Sequence, residues 1–600
     1  MNATADTPST SAWDLTAGWE NLGAWRVIET QFGAGESFLS TWFSWRNDSN
    51  RPRLLHFVAF TPAAPNLDAL NAQVGHHPAW QGLLEELKPH WFGLLPGFHR
   101  ISLDQGRVLL TLCIGGEAEL LRQQHFLADA VSLGNGTGNA HAAWDIWTVK
   151  ALVRCCRRGT RLYLRQAKPD LMTLLVQCGF VLNPLTGPEQ QNLVFDPRWT
   201  LKNSRNPPLP ITTPAGTCVV IGAGLAGASV AASLARRGWQ VVVLEGGATP
   251  ASGASGLPVG LVAPHGSVDD CQLSRLSRVG VRLMLGEAAR FLDAGEDWAL
   301  TGAMEYRVDR SPGLSTDWPT EGLEWSQAMP LSDSEAVPSI WHGRSAWIKP
   351  AQLIRAWLSL PNITVQSNAR VASLTQMDGR WSVFDAQGHA LASGDRVVFA
   401  NATGALPLLE QVQKKHPERH LQLNRLPQLH GVRGQVTFGR HVNAADAMFP
   451  PTPINGSGSI IAQIPMAEGW TWFVGSSFQP DRQPSHSPEH NHWANFERLK
   501  QLKPSLAMQL KPLFGTTKLL HWENTRCVTA DRLPIVGALG DTTDTDLWVC
   551  AGMGSRGLSF SVLCAELLAA QWGGEPLPME FNLAQSFNAL RAVRSAGSSV

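Results

Sequence analysis

Residues 219–247 read VVIGAGLAGASVAASLARRGWQVVVLEGG. A short apolar run, Cys218–Ile221, predicts a buried strand. Leu225–Arg237 predicts a helix, and Gln240–Leu244 a second strand. Between the first strand and the helix stand Gly222, Gly224 and Gly227, a G-x-G-x-x-G triplet. In such a turn the first glycine permits a tight bend and the second lets backbone approach a pyrophosphate. The third lets the helix pack closely on the strand. The helix N-terminus adds free N–H groups and the positive end of its dipole. Glu245 closes the second strand, where a carboxylate accepts hydrogen bonds from the hydroxyls of an adenosine ribose. A dinucleotide site is therefore expected. The acid disfavours NADP, whose 2′-phosphate it would repel, and leaves NAD and FAD.

Outward from this stretch, Gly253–Ser267 (GASGLPVGLVAPHGS) is rich in small residues that can run beside a cofactor's phosphates and flavin. Near the C-terminus, Thr525–Gly537 (TRCVTADRLPIVG) and Ala551–Ala569 form a second glycine-rich turn entering a helix. A second helix start suits a cofactor held at both ends, which favours FAD. Arg396–Gly404 (RVVFANATG) adds a strand and turn.

The chain has 600 residues, a soft prior for about three to four domains. Apolar residues make up 44% and charged residues 16%, which excludes a disordered chain. Lys+Arg and Asp+Glu are each 49, so a general basic coat for nucleic acid is excluded, though a local patch is not. No apolar run is long enough for a membrane span, and Met1–Trp13 lacks the features of a secretory signal. Nine cysteines without a C-x-x-C pair suggest free thiols in a reducing cytoplasm, with no metal site. Five prolines in 196–217 predict an extended linker. It separates domain 1–195, with alternating strands and helices, from domain 218–600. The expected fold class is α/β in both, the second with a mixed-sheet insert.

The second domain resembles the FAD-dependent amine oxidase superfamily that includes glycine and sarcosine oxidases. It is most similar to the oxidoreductase half of the bifunctional tRNA 5-methylaminomethyl-2-thiouridine biosynthesis proteins. The motifs carrying this are GASG…VGLVAPHGS, VRGQVTF (Val432–Phe438), WFVGSSF (Trp472–Phe478), TRCVTADRLPIVG and GSRGL (Gly554–Leu558). The resemblance implies FAD contacts at Ser255, Gly256, Gly260, Leu261, Gly554, Ser555 and Gly557, beside Gly222, Gly224, Gly227 and Glu245. It implies oxidation of 5-carboxymethylaminomethyl-uridine at the tRNA wobble position. Hydride leaves the N–CH2 carbon, and the imine hydrolyses to amine and glyoxylate. A guanidinium is the natural partner of the glycyl carboxylate, and Arg526, Arg556 and Arg433 are the candidates. His265, after Pro264, reads as a satisfied loop histidine rather than a base.

In that family the first half is an S-adenosylmethionine-dependent methyltransferase. Val27–Trp42, Leu54–Phe60, Pro96–Leu112 and Gly115–Leu121 match it in order. The chemical positions depart. Gln31 replaces a glycine of the loop Glu29–Gly35, and Thr61 stands where an acid should bind ribose. Gly116 or a displaced Glu117 replaces the acid beside adenine. Gly134-Asn135-Gly136-Thr137-Gly138 replaces Asp-Gly-Phe-Ala-Pro, the catalytic turn. Each lost carboxylate contact should cost about 1–3 kcal/mol. A domain binding S-adenosylmethionine poorly or not at all is expected. The alternatives are a fully active bifunctional enzyme, an oxidase of a free N-alkyl amino acid such as sarcosine, and a tRNA-binding module without activity.

Two basic runs are candidate tRNA contacts. One is Lys150, Arg154, Arg157, Arg158, Arg161, Arg165 and Lys168; the other is Lys414, Lys415, Arg419, Arg425, Arg433 and Arg440. Oligomeric state is not legible.

Overall fold

The computed structural model describes residues 15–75, 77–134, 144–164, 169–182, 191–199, 215–330, 337–441, 448–540 and 546–591. Most of the proline-rich stretch, Asn135–Gly138 of the departed catalytic turn, and Arg165 and Lys168 lie outside them. The chain divides into two compact units, 1–214 with Ala569–Ala584, and 215–568 with Gln585–Val600. The sequence suggested one uninterrupted second domain, yet Ala569–Ala584 belongs with the first unit.

The first unit holds one eight-stranded sheet. Its strands are β1 (Ala24–Glu29), β2 (Leu54–Thr61), β3 (Gly97–Leu103), β4 (Val108–Ile114), β5 (Ala128–Leu133), β6 (Cys156–Leu164), β7 (Phe180–Leu182) and β8 (Gln191–Phe195). They lie in the order β3-β4-β2-β1-β5-β6-β8-β7. The inner five, β4 to β6, run parallel. That explains why β2 (LLHFVAFT) is apolar on both faces: each face is covered. The helix Glu36–Asn47 buries Phe38, Leu39, Trp42 and Trp45, spaced to form one stripe on the sheet.

The segment 569–584 is fastened to this sheet by buried polar groups. Arg100 on β3 is 1% exposed and donates to the carbonyls of Pro576 (2.7 Å) and Leu577 (3.0 Å) and to Thr111 Oγ1 (2.8 Å). Arg26 donates to the Gly573 carbonyl at 2.9 Å, and His56 Nε2 lies 3.4 Å from the Glu575 carboxylate. The His125 ring stacks on Phe581 with centroids 3.7 Å apart.

The second unit is built on a six-stranded sheet. Its order is Ile363–Gln366, Gln240–Leu244, Thr217–Ile221, Arg396–Phe399, Leu547–Ala551, Ile535–Ala538. The first five are parallel and the last antiparallel. The expected strands and the helix Leu225–Arg236 are in place. That helix is rich in Ala, Gly and Ser and is buried from Leu225 to Ala235, since only small side chains allow such close packing on both sides. A nine-stranded mixed sheet forms the insert, with His430–Arg440 and Leu520–Val528 as an antiparallel pair. Among the described residues no helix is long and apolar enough to cross a membrane.

Candidate active site

The glycine triplet lies at the tight turn between strand and helix. Gly222 has φ +104°, where a side chain is strained, and a Cβ there would lie 2.8 Å from the Ala400 carbonyl oxygen. Gly224 is the N-cap of Leu225–Arg236, and its bare Cα leaves a Cβ-sized space 3.0 Å from Ser255 Oγ. Gly227 cannot carry a side chain, because its Cβ would fall 1.8 Å from the Gly222 carbonyl oxygen. Glu245 is 8% exposed. Its carboxylate accepts from the N–H groups of Ala223 (2.9 Å) and Gly247 (2.8 Å) and from the Ser252 hydroxyl (2.8 Å).

These groups open on a cavity of about 810 Å³. Gly222, Gly224, Glu245, Ser255, Gly260, Leu261, Gly554, Ser555 and Gly557 all line it. Gly227 and Gly256 stand behind the wall; a Cβ on Gly256 would meet the Ala251 carbonyl oxygen at 2.6 Å. The helices Leu225–Arg236 and Gly557–Gly573 start side by side, with the Leu225 side chain 3.4 Å from a Cβ position on Gly557. Two helix starts thus serve one cavity, as an elongated dianionic cofactor requires. Arg370, Val371, Asn401 and Gln411 also line it and were not singled out from sequence. Asn401 Oδ1 is buried without a hydrogen-bond partner among the described residues, which marks an acceptor awaiting a ligand donor. The cradle that a Cβ would fill, the paired helix starts and this orphaned acceptor fit FAD.

Arg526 lies on the strand Leu520–Val528 and lines the same cavity. Arg556 immediately precedes the helix Gly557–Gly573, outside the cavity lining. Among the described residues neither guanidinium has an ion-pair partner within 4 Å. Burial lowers the pKa of each. Arg498 adds to this at Arg526 and Arg532 at Arg556, while Glu305 and Cys271 oppose it at Arg556. Arg433 differs. It donates to Asp481 Oδ1 (3.2 Å), to the carbonyls of Asp481 (2.9 Å) and Gln483 (3.0 Å), and to the Ser485 hydroxyl. Its fork clips the loop after Gln479–Pro480, which corrects its candidacy as a substrate ligand. Strand pairing gives the reason: Val432, not Arg433, stands opposite Arg526, so alternation sends the two arginines to opposite faces.

His265 Nδ1 lies 2.9 Å from Ser274 Oγ. Burial, then the Arg556 charge, pulls the ring's pKa down to about 4, so it is neutral at pH 7. Beside it runs a chain that sequence reading missed. Arg307 donates to the Gly266 carbonyl (2.7 Å) and lies 3.1 Å from Glu305. Glu305 meets His342 Nε2 (2.8 Å), and His342 Nδ1 meets Ser326 Oγ (2.8 Å). His342 above all, with burial opposing, holds the Glu305 carboxyl below its ordinary range. This chain braces the His265–Gly266 turn.

The family model described as FAD dependent oxidoreductase matches residues 217–571. The chain is 49% identical to the tRNA 5-methylaminomethyl-2-thiouridine biosynthesis bifunctional protein MnmC of Albidiferax ferrireducens, covering 96% of this chain and 94% of that one. It is 42% identical to the MnmC of Polaromonas naphthalenivorans, covering 95% and 91%. The chain belongs to the MnmC family. Its second unit is an FAD-dependent oxidoreductase domain. In fold it is similar to glycine oxidase from Geobacillus kaustophilus, with a TM-score of 0.50 and 17% identity over 64% of this chain and all of that one.

The first unit keeps its glycine turn, with Phe32 packed against Gly35 and Gln31 against Gly134. Gly33 and Gly35 retain positive φ, +55° and +73°. Phe32 is 3% exposed, stacks on Trp91, and would touch a Cβ on Gly35 at 2.9 Å. The Gln31 side chain lies over Gly134, where a Cβ would be 2.3 Å away. Thr61 Oγ1 donates to the Ala63 carbonyl at 2.8 Å and closes the strand end on itself. Burial pushes the Glu117 carboxyl up to about 8, with a Thr30 hydrogen bond opposing. It is mostly protonated at pH 7, a poor replacement for an ionised acid.

Proposed function

We propose that the second unit oxidises the carboxymethylaminomethyl group of a tRNA wobble uridine, with or without 2-thiolation, in the cytoplasm. The observation that carries this reading is Arg526, a guanidinium without an ion-pair partner among the described residues, in the wall of the cavity that holds the dinucleotide turn. A half-buried cation without an ion-pair partner is partly desolvated, and a substrate carboxylate offsets that cost. Bound FAD would supply two-electron, hydride-accepting chemistry at a CH–NH donor. Gly222, Gly224, Glu245, Ser255 and the start of Gly557–Gly573 would hold its polar parts. Arg526 would take the glycyl carboxylate in a two-point hydrogen bond. Arg526 and Arg556 together disfavour a further positive charge, which keeps the substrate's secondary amine unprotonated, as hydride loss from the N–CH2 carbon needs. The imine so formed would hydrolyse with water to amine and glyoxylate.

The first unit would not use S-adenosylmethionine, because Gln31 lies against Gly134, Phe32 packs against Gly35, and Thr61 offers no carboxylate to a ribose. Nucleoside analysis of tRNA from cells lacking the protein tests the whole reading. The 5-carboxymethylaminomethyl form should accumulate; unchanged wobble uridines would sink it. With purified protein, tRNA bearing that group should bleach the flavin, and free glycine or sarcosine should not. Micromolar binding of S-adenosylmethionine would overturn the reading of the first unit.

A further inference from the structure

Much of the positive charge in both basic runs is already engaged. Arg419 pairs with Asp546, Arg425 with Gln422, Arg433 with the 481–485 loop, and Arg440 with Glu468. In the first unit Arg157 pairs with Asp129, Arg158 with Asp196, and Arg161 donates to the Ala17 carbonyl. The helix Ile146–Val153 presents something different. It buries Val149, Ala151 and Leu152 against the sheet. Its other face carries Trp147, Lys150 and, at the C-cap, Arg154, spaced i, i+3, i+7 and all exposed. Trp147 is 62% exposed, with Lys150 Nζ 4.6 Å from its ring centroid. Arg154 has no side-chain partner among the described residues and acts electrostatically on His125, which stacks on Phe581. Arg122, exposed, lies near enough to act on Asp145 at the start of the helix.

We infer that this face of the first unit is a docking strip for the tRNA substrate, with an unpaired base stacked on Trp147 and backbone phosphates on Lys150 and Arg154. A planar indole flanked by two cations that have no ion-pair partner among the described residues, in a chain of zero formal charge, complements a polyanion whose rings are accessible. An acidic peptide would use the cations and leave the indole idle. The inference rests on the tRNA reading above and assigns the first unit a task that needs no methyl transfer.

The test is fluorescence anisotropy of labelled tRNA with the full-length protein at 50–200 mM salt. W147A/K150A/R154A should bind about tenfold or more weakly, the range expected for a lost stacking platform and two phosphate contacts. Its log–log salt dependence should be shallower by about 1.5. Flavin content and thermal midpoint should match the parent, and W147F/K150R/R154K should restore most of the affinity. Parent-like affinity and salt slope in the triple alanine variant would overturn the inference. So would an equal loss in K414A/K415A, which would mean general charge rather than this face. A parent protein that binds no tRNA at 50 mM salt would instead sink the tRNA reading itself.

Discussion

The chain holds two turns of the same design with different surroundings. Each follows a buried parallel strand, Thr217–Ile221 or Ala24–Glu29, and each keeps glycines at left-handed φ, Gly222 at +104° and Gly33 at +55°. Around Gly222 and Gly224 the neighbours are backbone and Ser255, and a cavity of about 810 Å³ remains. Around Gly35 the neighbours are Phe32 and Leu70, the Gln31 side chain lies against Gly134, and Gly33 is exposed with nothing within 4 Å of a Cβ position. The following strand ends in Glu245, whose carboxylate accepts from Ala223 and Gly247, in one case and in Thr61, closed on its own backbone, in the other. The sheet around the first unit's turn is no less ordered: Val27, Ile28, Phe57 and Val58 are fully buried. Strand burial maintains a fold, and a handful of positions maintain a site; the second can be lost while the first stays.

The sharpest way to break this contrast lies at the working site. Replacing Arg526 by Ala should lower kcat/KM for flavin reduction by modified tRNA about 30- to 1000-fold, the effect of removing one partner of a hydrogen-bonded charge pair at the substrate. Stopped-flow absorbance reads it, and R433A should stay within about threefold of the parent, since its guanidinium serves a loop. Next, Glu245→Ala should weaken FAD binding about 5- to 100-fold, corresponding to about 1–3 kcal/mol, read by flavin retention on dilution. At the first unit's turn, Gln31→Gly with Thr61→Asp should gain measurable S-adenosylmethionine binding by calorimetry, roughly 10-fold or more over a parent that binds negligibly. The smallest effect concerns Glu117. Its folded pKa of about 8 lies above the ordinary 4.5, so the folded first unit holds a proton that the unfolded chain releases between those values. Its contribution is complete below about pH 4.5 and is lost as pH rises through about 8. Glu117→Gln should therefore flatten the fall in the first unit's melting temperature between pH 5 and pH 8 by about 5 °C or more, with little change at pH 4.5.

What sequence disclosed was local. Period and glycine spacing placed Thr217–Leu244 because strand, turn, helix and strand lie within one stretch of chain. The strand Gly97–Leu103 was not read as such, and pairing with β4 is what makes it an edge. Arg526 and Arg433 looked equivalent as letters in two motifs. Only the register of an antiparallel pair shows that one faces the cavity and the other a loop. Glu305, Ser326 and His342 carry no common spacing, and three separate segments meet to form their chain of bonds. Asn401 was visible as the residue before Ala402-Thr403-Gly404, but its orphaned oxygen is a property of packing.

The segment Ala569–Ala584 carries a consequence for biosynthesis. Arg100 meets its carbonyl partner on Pro576 across a separation of 476 positions. At about 5–20 residues per second on the ribosome, the first unit waits roughly 25–95 s for the piece that completes it. During that interval Arg100, Arg26 and His56 lack the residues that later cover them. A chain cut before Ala569 would leave Arg100, Arg26 and His56 without these partners in the first unit.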